Sequence, residues 1–356
     1  MDSSAAIPAG GPSSTFRKPS QEQIAAASML FAQRADPFGP PDLIRNDFNG
    51  WVIRAFGSAV TWRKPTETFH EFCFDVLKRT FGQEWLDEQF ALCPEERHVV
   101  ARWLSTYSNQ TRRERPESHP AGQVFSAPPT GGAQHAILFG RDLLYLQQVD
   151  RLPDALVERL RHRAEFQGAW YEVTVASALM HGGFEIEWLS KKSESHCEFT
   201  AFHPHTRERV AVEAKSKRYA GVLNEPGETP PTLRTLAHRV FRDALKKDPE
   251  GFPYVIFVDV NMPPDSSLAE ASASWAGHMR DAIESHGTLS SDPATFALAV
   301  CTNFSWHQRV DETIVGPGIV YSHRPQFSSS AIQNDLTVHA IEIGLKRVGV
   351  LPSHTL

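Results

Sequence analysis

From residue 165 onward the sequence alternates between a helical and an extended hydrophobic period, and this alternation leaves few folds open. Residues 165–181 carry apolar side chains at helical spacing and stop at Gly182-Gly183, a pair suited to a helix C-terminus. Residues 184–189 switch to period two, with Phe184, Ile186 and Trp188 set against Glu185 and Glu187. Further strands are predicted at 197–199 and 210–215, a helix at 232–247, a strand at 254–260, a helix at 267–285 and a strand at 296–302. The run from Tyr254 to Val260 is almost continuously apolar between Pro253 and Pro263, which predicts a central strand covered on both faces. The expected fold class is therefore α/β, a mixed sheet flanked by helices.

The N-terminal half has a different texture. Residues 1–20 are rich in Ser, Ala, Pro and Gly and read as a flexible tail. Residues 21–106 predict a mainly helical region, with helices at 21–34, 66–81 and 94–107. The second carries Phe69, Phe72, Cys73, Val76 and Leu77 at helical spacing, and the third Val99, Val100, Trp103 and Leu104. Residues 107–133 hold Arg112, Arg113, Arg115, Pro116, Pro120, Pro128 and Pro129 and read as a linker or long loop. The expected α/β domain spans 134–356, opening with helices at 134–149 and 153–163. Strand-like pieces at 313–321 and 336–343 end it.

Composition excludes some functions. A net charge of −6 over 356 residues argues against a surface coated for general nucleic-acid binding. A local basic groove remains open, because residues 207–247 hold ten Lys/Arg against five Asp/Glu. The 4 cysteines (Cys73, Cys93, Cys197 and Cys301) form no CxxC pair, which predicts neither a disulfide framework nor a cysteine zinc site and suits a reducing cytosol. With no signal-peptide pattern and no membrane-length apolar run, the expectation is a soluble cytoplasmic protein without a membrane partner.

The chemistry concentrates in 198–215. Glu213 and Lys215 lie two residues apart on an otherwise apolar strand, so both point to one face. Such charges either neutralise one another or hold something. Arg234, His238, Arg242 and Lys246 recur every four residues on the next helix, as a solvated face or as contacts to phosphate. His196, His203 and His205 cluster near the hairpin as zinc ligands would, but the turn at Pro204 reads His203 and His205 as exposed turn residues; Asp259 and Asn261 read as the end of the buried strand.

Glu172 on a helix, Glu198-Phe199 in a hairpin, Glu213-Ala214-Lys215 on the following strand, then a helix and a buried strand, together resemble the PD-(D/E)XK nuclease superfamily over about residues 152–302. The continuation from Lys215-Ser216-Lys217-Arg218 to Gly221-Val222-Leu223 is similar to a bacterial branch of it. The resemblance implies a restriction-endonuclease-like mixed sheet and a metal-dependent nuclease. It implies that Glu198 and Glu213 bind Mg²⁺ (or Mn²⁺), that Lys215 orients or deprotonates the attacking water, and that Glu172 supports the site. Lys217, Arg218, Arg234, Arg242 and Lys246 would then contact nucleic acid, DNA ahead of RNA, with a homodimer or a partner subunit open as further assemblies. Glu198 stands where the family usually has an aspartate, one methylene shorter. This departure favours an alternative: a catalytically inactive nuclease fold that binds nucleic acid or serves in assembly.

Overall fold

The computed structural model describes residues 43–48, 51–56, 59–116, 120, 123–149, 152–189, 196–216, 233–260, 268–287, 295–304, 319–325, 328–353 and 355. Strands β1 (Leu43–Phe48), β2 (Trp51–Phe56) and β3 (Ala59–Arg63) form an antiparallel three-stranded sheet. Helices α1 (Phe69–Phe81), α2 (Gln83–Ala91), α3 (Val99–Glu114), α4 (Gly131–Val149) and α5 (Asp154–Arg161) follow. Next come α6 (Phe166–His181), β4 (Glu185–Trp188), β5 (Phe199–His203) and β6 (Glu208–Ser216). The chain continues through α7 (Leu233–Ala244), β7 (Tyr254–Asp259), α8 (Leu268–Gly287), β8 (Leu298–Asn303), β9 (Ile319–His323) and α9 (Asp335–Arg347).

Strands β4 to β9 make one six-stranded sheet in sequence order. Its first three strands are antiparallel neighbours, β6, β7 and β8 run parallel, and β9 is antiparallel to β8. This is the mixed α/β sheet expected. Alternation along each strand splits the core into two layers. Val210, Val212, Ala214, Val255 and Phe257 face the layer containing α4, α6 and α9. Ala211, Tyr254, Ile256 and Val258 face the layer containing α7 and α8. β7 is buried at every position, as its apolar run requires.

Three sequence expectations need correction. Within 21–106 the helices expected at 66–81 and 94–107 are matched by α1 and α3, but the described part from Leu43 on begins with the strands β1–β3, which the sequence reading lacks. The obstacle to reading β2 is Arg54, which is 1 % exposed. Its guanidinium lies over Phe69 and Phe72, at 5.9 and 5.5 Å from the ring centroids, and donates to the Glu67 carbonyl. An inward-pointing cation masks the apolar alternation that betrays a strand. The stretch 107–133 is helical as far as Glu114, with Arg112 and Arg113 in the last turn of α3, where cations complement the helix dipole. Beyond it, Gln110 fastens the return path by donating to the Pro128 carbonyl and accepting from the Thr130 N–H. Finally, 336–343 is helix rather than strand: the Asn334 side chain caps α9, with Asp335 in its first turn and Lys346 and Arg347 in its last. The 313–321 piece lies outside the described residues as far as 318.

α9 crosses α6 at Gly344, where a Cβ would fall inside the van der Waals shell of the Ala178 carbonyl. Gly344→Val is expected to cost about 3 kcal/mol through overpacking. Urea unfolding should show a lower midpoint with an unchanged slope. Among the described residues no helix is long and apolar enough to cross a membrane.

Candidate active site

The β5–β6 register assembles the site. Phe199 pairs with Val212. One step further the Glu198 N–H donates to the Val212 carbonyl at 3.1 Å, which brings Glu198 alongside Glu213 on the face towards α7 and α8. Lys215 lies two residues along that face. Its ammonium contacts Glu213 Oε1 and stands 3.5 Å from Glu198 Oε1. The structure thus brings the Glu213–Lys215 pair that sequence spacing singled out together with Glu198, which the resemblance added to it. Burial is steeply graded: the side chains of Glu213, Glu198 and Lys215 are 0 %, 10 % and 29 % exposed.

Glu213 is the unusual member. Its Oε2 has no hydrogen-bond donor among the described residues, although it is fully buried. Burial pushes its carboxyl up to about 7, with Lys215 opposing the rise and Glu198 adding to it. Burial by itself would lower the Lys215 ammonium, yet Glu213 and then Glu198 hold it above its ordinary value. A buried carboxylate oxygen without a donor, next to a second carboxylate, suits a hard cation, and Mg²⁺ needs only one or two protein carboxylates.

Glu172 reaches this centre from α6 but is engaged elsewhere. Arg159 of α5 grips both its oxygens, Nη1 to Oε2 at 2.7 Å and Nη2 to Oε1 at 2.6 Å. Burial lowers the Arg159 guanidinium, but Glu172, Glu198 and Glu165 more than compensate. Arg159 is the residue the sequence did not disclose. It lies on a separate helix, and no spacing rule ties it to the Glu-x-Lys strand.

The last residue of β6 is clamped by a buried polar relay. Asp259 Oδ2 accepts from Ser216 Oγ at 3.2 Å, and its Oδ1 accepts from Thr302 Oγ1 at 2.9 Å and from the Phe304 N–H at 3.1 Å. Gln167 Nε2 donates to Ser216 Oγ, and Tyr171 shares a hydrogen bond with Thr302. Burial pushes Asp259 up to about 6. Asp259 therefore does more than end a strand: it fixes the residue next to Lys215. Asp259→Ala strands two buried donors and the half-buried Ser216 hydroxyl, and is expected to cost about 2–4 kcal/mol in chemical denaturation.

The expected nucleic-acid contacts are only partly visible. Lys217 and Arg218 lie outside the described residues, as does the side chain of Arg234 on α7. Arg242 is exposed, 4.0 Å from Asp243, and Lys246 binds the same carboxylate at 2.8 Å. The neighbouring Lys247, which the helical pattern passed over, is the cation of this run whose field reaches Glu213. The histidines separate. His203 is fully buried rather than exposed, with Nε2 bonded to the Gly182 carbonyl and Nδ1 accepting the Thr206 N–H. His196 sits 2.9 Å from Glu250, and His205 is exposed. Among the described residues no group of three or more His, Cys, Asp and Glu side chains is placed to hold a metal.

Fold and site together define a mixed α/β chain with a buried carboxylate–ammonium centre on one face of its sheet. No family model, no curated protein and no solved structure matches the chain.

Proposed function

We propose that the chain is a metal-dependent phosphodiesterase acting on nucleic acid, DNA ahead of RNA. The observation that carries this reading is the fully buried Glu213 oxygen that has no donor among the described residues, with Glu198 beside it and Lys215 on the same face. The order of α6 with Glu172, the β5–β6 hairpin with Glu198, Glu213 and Lys215, then α7 and the buried β7 supports the restriction-endonuclease-like resemblance.

Glu198 and Glu213 would hold Mg²⁺, or Mn²⁺ in its place. Such an ion, when bound, supplies charge stabilisation to the phosphate and acidifies a water. Lys215 is the most exposed of the trio, half-buried rather than enclosed, and its three N–H donors suit a phosphate oxygen or the attacking water. Glu172, gripped by Arg159, adds to the negative field from the helix side. Burial pushes Glu213 up to about 7, so in the metal-free protein it holds a proton more readily than an ordinary carboxyl. Cation binding would therefore release a proton, and affinity should rise with pH through that range.

One observation favours the inactive alternative: Lys215 already neutralises the carboxylates that would bind the ion. Titration calorimetry separates the two readings. The proposed enzyme binds Mn²⁺ with proton release, and Glu213→Gln abolishes binding. A decayed scaffold gives no carboxylate-dependent heat.

A further inference from the structure

Lys215 lies in the field of three carboxylates, Glu213, Glu198 and Glu172. One ammonium cannot contact them all. In the structure it is set against Glu213 and Glu198, whereas Glu172 is held through both oxygens by Arg159. The planar guanidinium fork matches a carboxylate in a way that an ammonium does not. The Glu172 side chain is only 5 % exposed, so losing that fork is costly for its charge, and Lys215 is a cation within its field. Glu172 projects from α6 and Arg159 from α5, so the pairing is made outside the strands that carry Glu198, Glu213 and Lys215.

We propose that Arg159 is a positioning residue: by occupying Glu172 it leaves Lys215 to the Glu198–Glu213 pair. This rests on the reading of that pair as a metal-dependent hydrolytic site. Arg159 also lies in the field of Glu198, so it borders the centre rather than a remote surface.

The test uses the full chain, Mn²⁺ calorimetry and cleavage of a mixed DNA and RNA panel. In Arg159→Gln the rival carboxylate is released and Lys215 shifts towards it. Cleavage is expected to fall about 10- to 100-fold through misplacement. Mn²⁺ binding should instead tighten about threefold or more, because an ammonium leaves the liganding oxygens. Adding Glu172→Gln removes the rival as well: Mn²⁺ affinity should return to within about threefold of wild type, and cleavage should recover at least about threefold relative to Arg159→Gln. A guanidinium that only holds α5 against α6 would lower the melting temperature of both variants without these opposed shifts. The proposal is overturned if Arg159→Gln changes neither quantity, or if the double variant stays as slow as the single one. Should the wild type bind Mn²⁺ but cleave nothing, the nuclease reading fails and the affinities alone decide the role of Arg159. A wild type that binds no Mn²⁺ overturns both.

Discussion

Replacing Lys215 by alanine is expected to slow metal-dependent cleavage by about 10²- to 10⁴-fold, the range for losing a group that positions or activates the nucleophile. The same substitution has a thermodynamic signature. It leaves Glu213 fully buried beside Glu198 without its ammonium. Removing one partner of a buried pair costs about 3 kcal/mol, somewhat less here because Lys215 keeps contact with solvent. The sign follows from protonation. Near pH 5 Glu213 is protonated in the folded protein and the loss should be small. At pH 8 the wild-type carboxylate ionises beside its ammonium, whereas the variant carboxyl, pushed further up without Lys215, keeps its proton or ionises unpaired, so the loss should grow with pH. Mg²⁺ should then restore stability by mass action, replacing one cation with another. Thermal melts of Lys215→Ala at pH 5 and pH 8, with and without Mg²⁺, check all of these outcomes. A pH-independent loss that Mg²⁺ leaves unchanged would mean that Lys215 is simply a structural partner.

Glu213→Gln is expected to do the opposite in the absence of metal. A carboxyl raised to about 7 in the folded state binds a proton more readily there than in the unfolded chain, where it titrates near its ordinary value. Between those two values stability therefore falls as pH rises, and above them the ionised carboxylate destabilises the fold. The full shift corresponds to about 3 kcal/mol, of which the amide should recover about 2 because it faces the Lys215 donors. Compared with wild type, Glu213→Gln should be of similar stability near pH 5 and more stable at pH 8. It should also lose metal binding and cleavage. Gain of stability with loss of function marks a site that holds charge at the expense of the fold. A variant less stable than wild type at pH 8 would place Glu213 in a purely structural ion pair.

What could be read from the sequence follows from how local each interaction is. The central strand β7 was legible because burial on both faces leaves an uninterrupted apolar run. Glu213 and Lys215 were legible because period two fixes their shared face. Glu198 needed the β5–β6 register, since a one-residue slip would have turned it to the opposite side of the sheet. Arg159 was out of reach: its partner lies on the next helix, and only the packing of α5 against α6 brings the two together. β2 hid behind a buried arginine held by two phenylalanine rings and a carbonyl. α9 was mistaken because Leu336, Val338 and Ala340 also alternate. The Asn334 cap and the charged termini of the helix settle its structure. His203 passed as a turn residue because nothing near it in sequence shows that the Gly182 carbonyl, beyond the α6 terminus, will cover it.

The central claim is that Glu198, Glu213 and Lys215 form a hydrolytic centre for phosphodiesters. Its most direct test is cleavage of a mixed panel of single- and double-stranded DNA and RNA in Mg²⁺, with wild type and Lys215→Ala side by side and EDTA as control. The expected result is cleavage by wild type that EDTA abolishes and Lys215→Ala loses while remaining folded in Mg²⁺. Equal cleavage by the two proteins, or none by a wild-type protein that binds Mg²⁺, would contradict it.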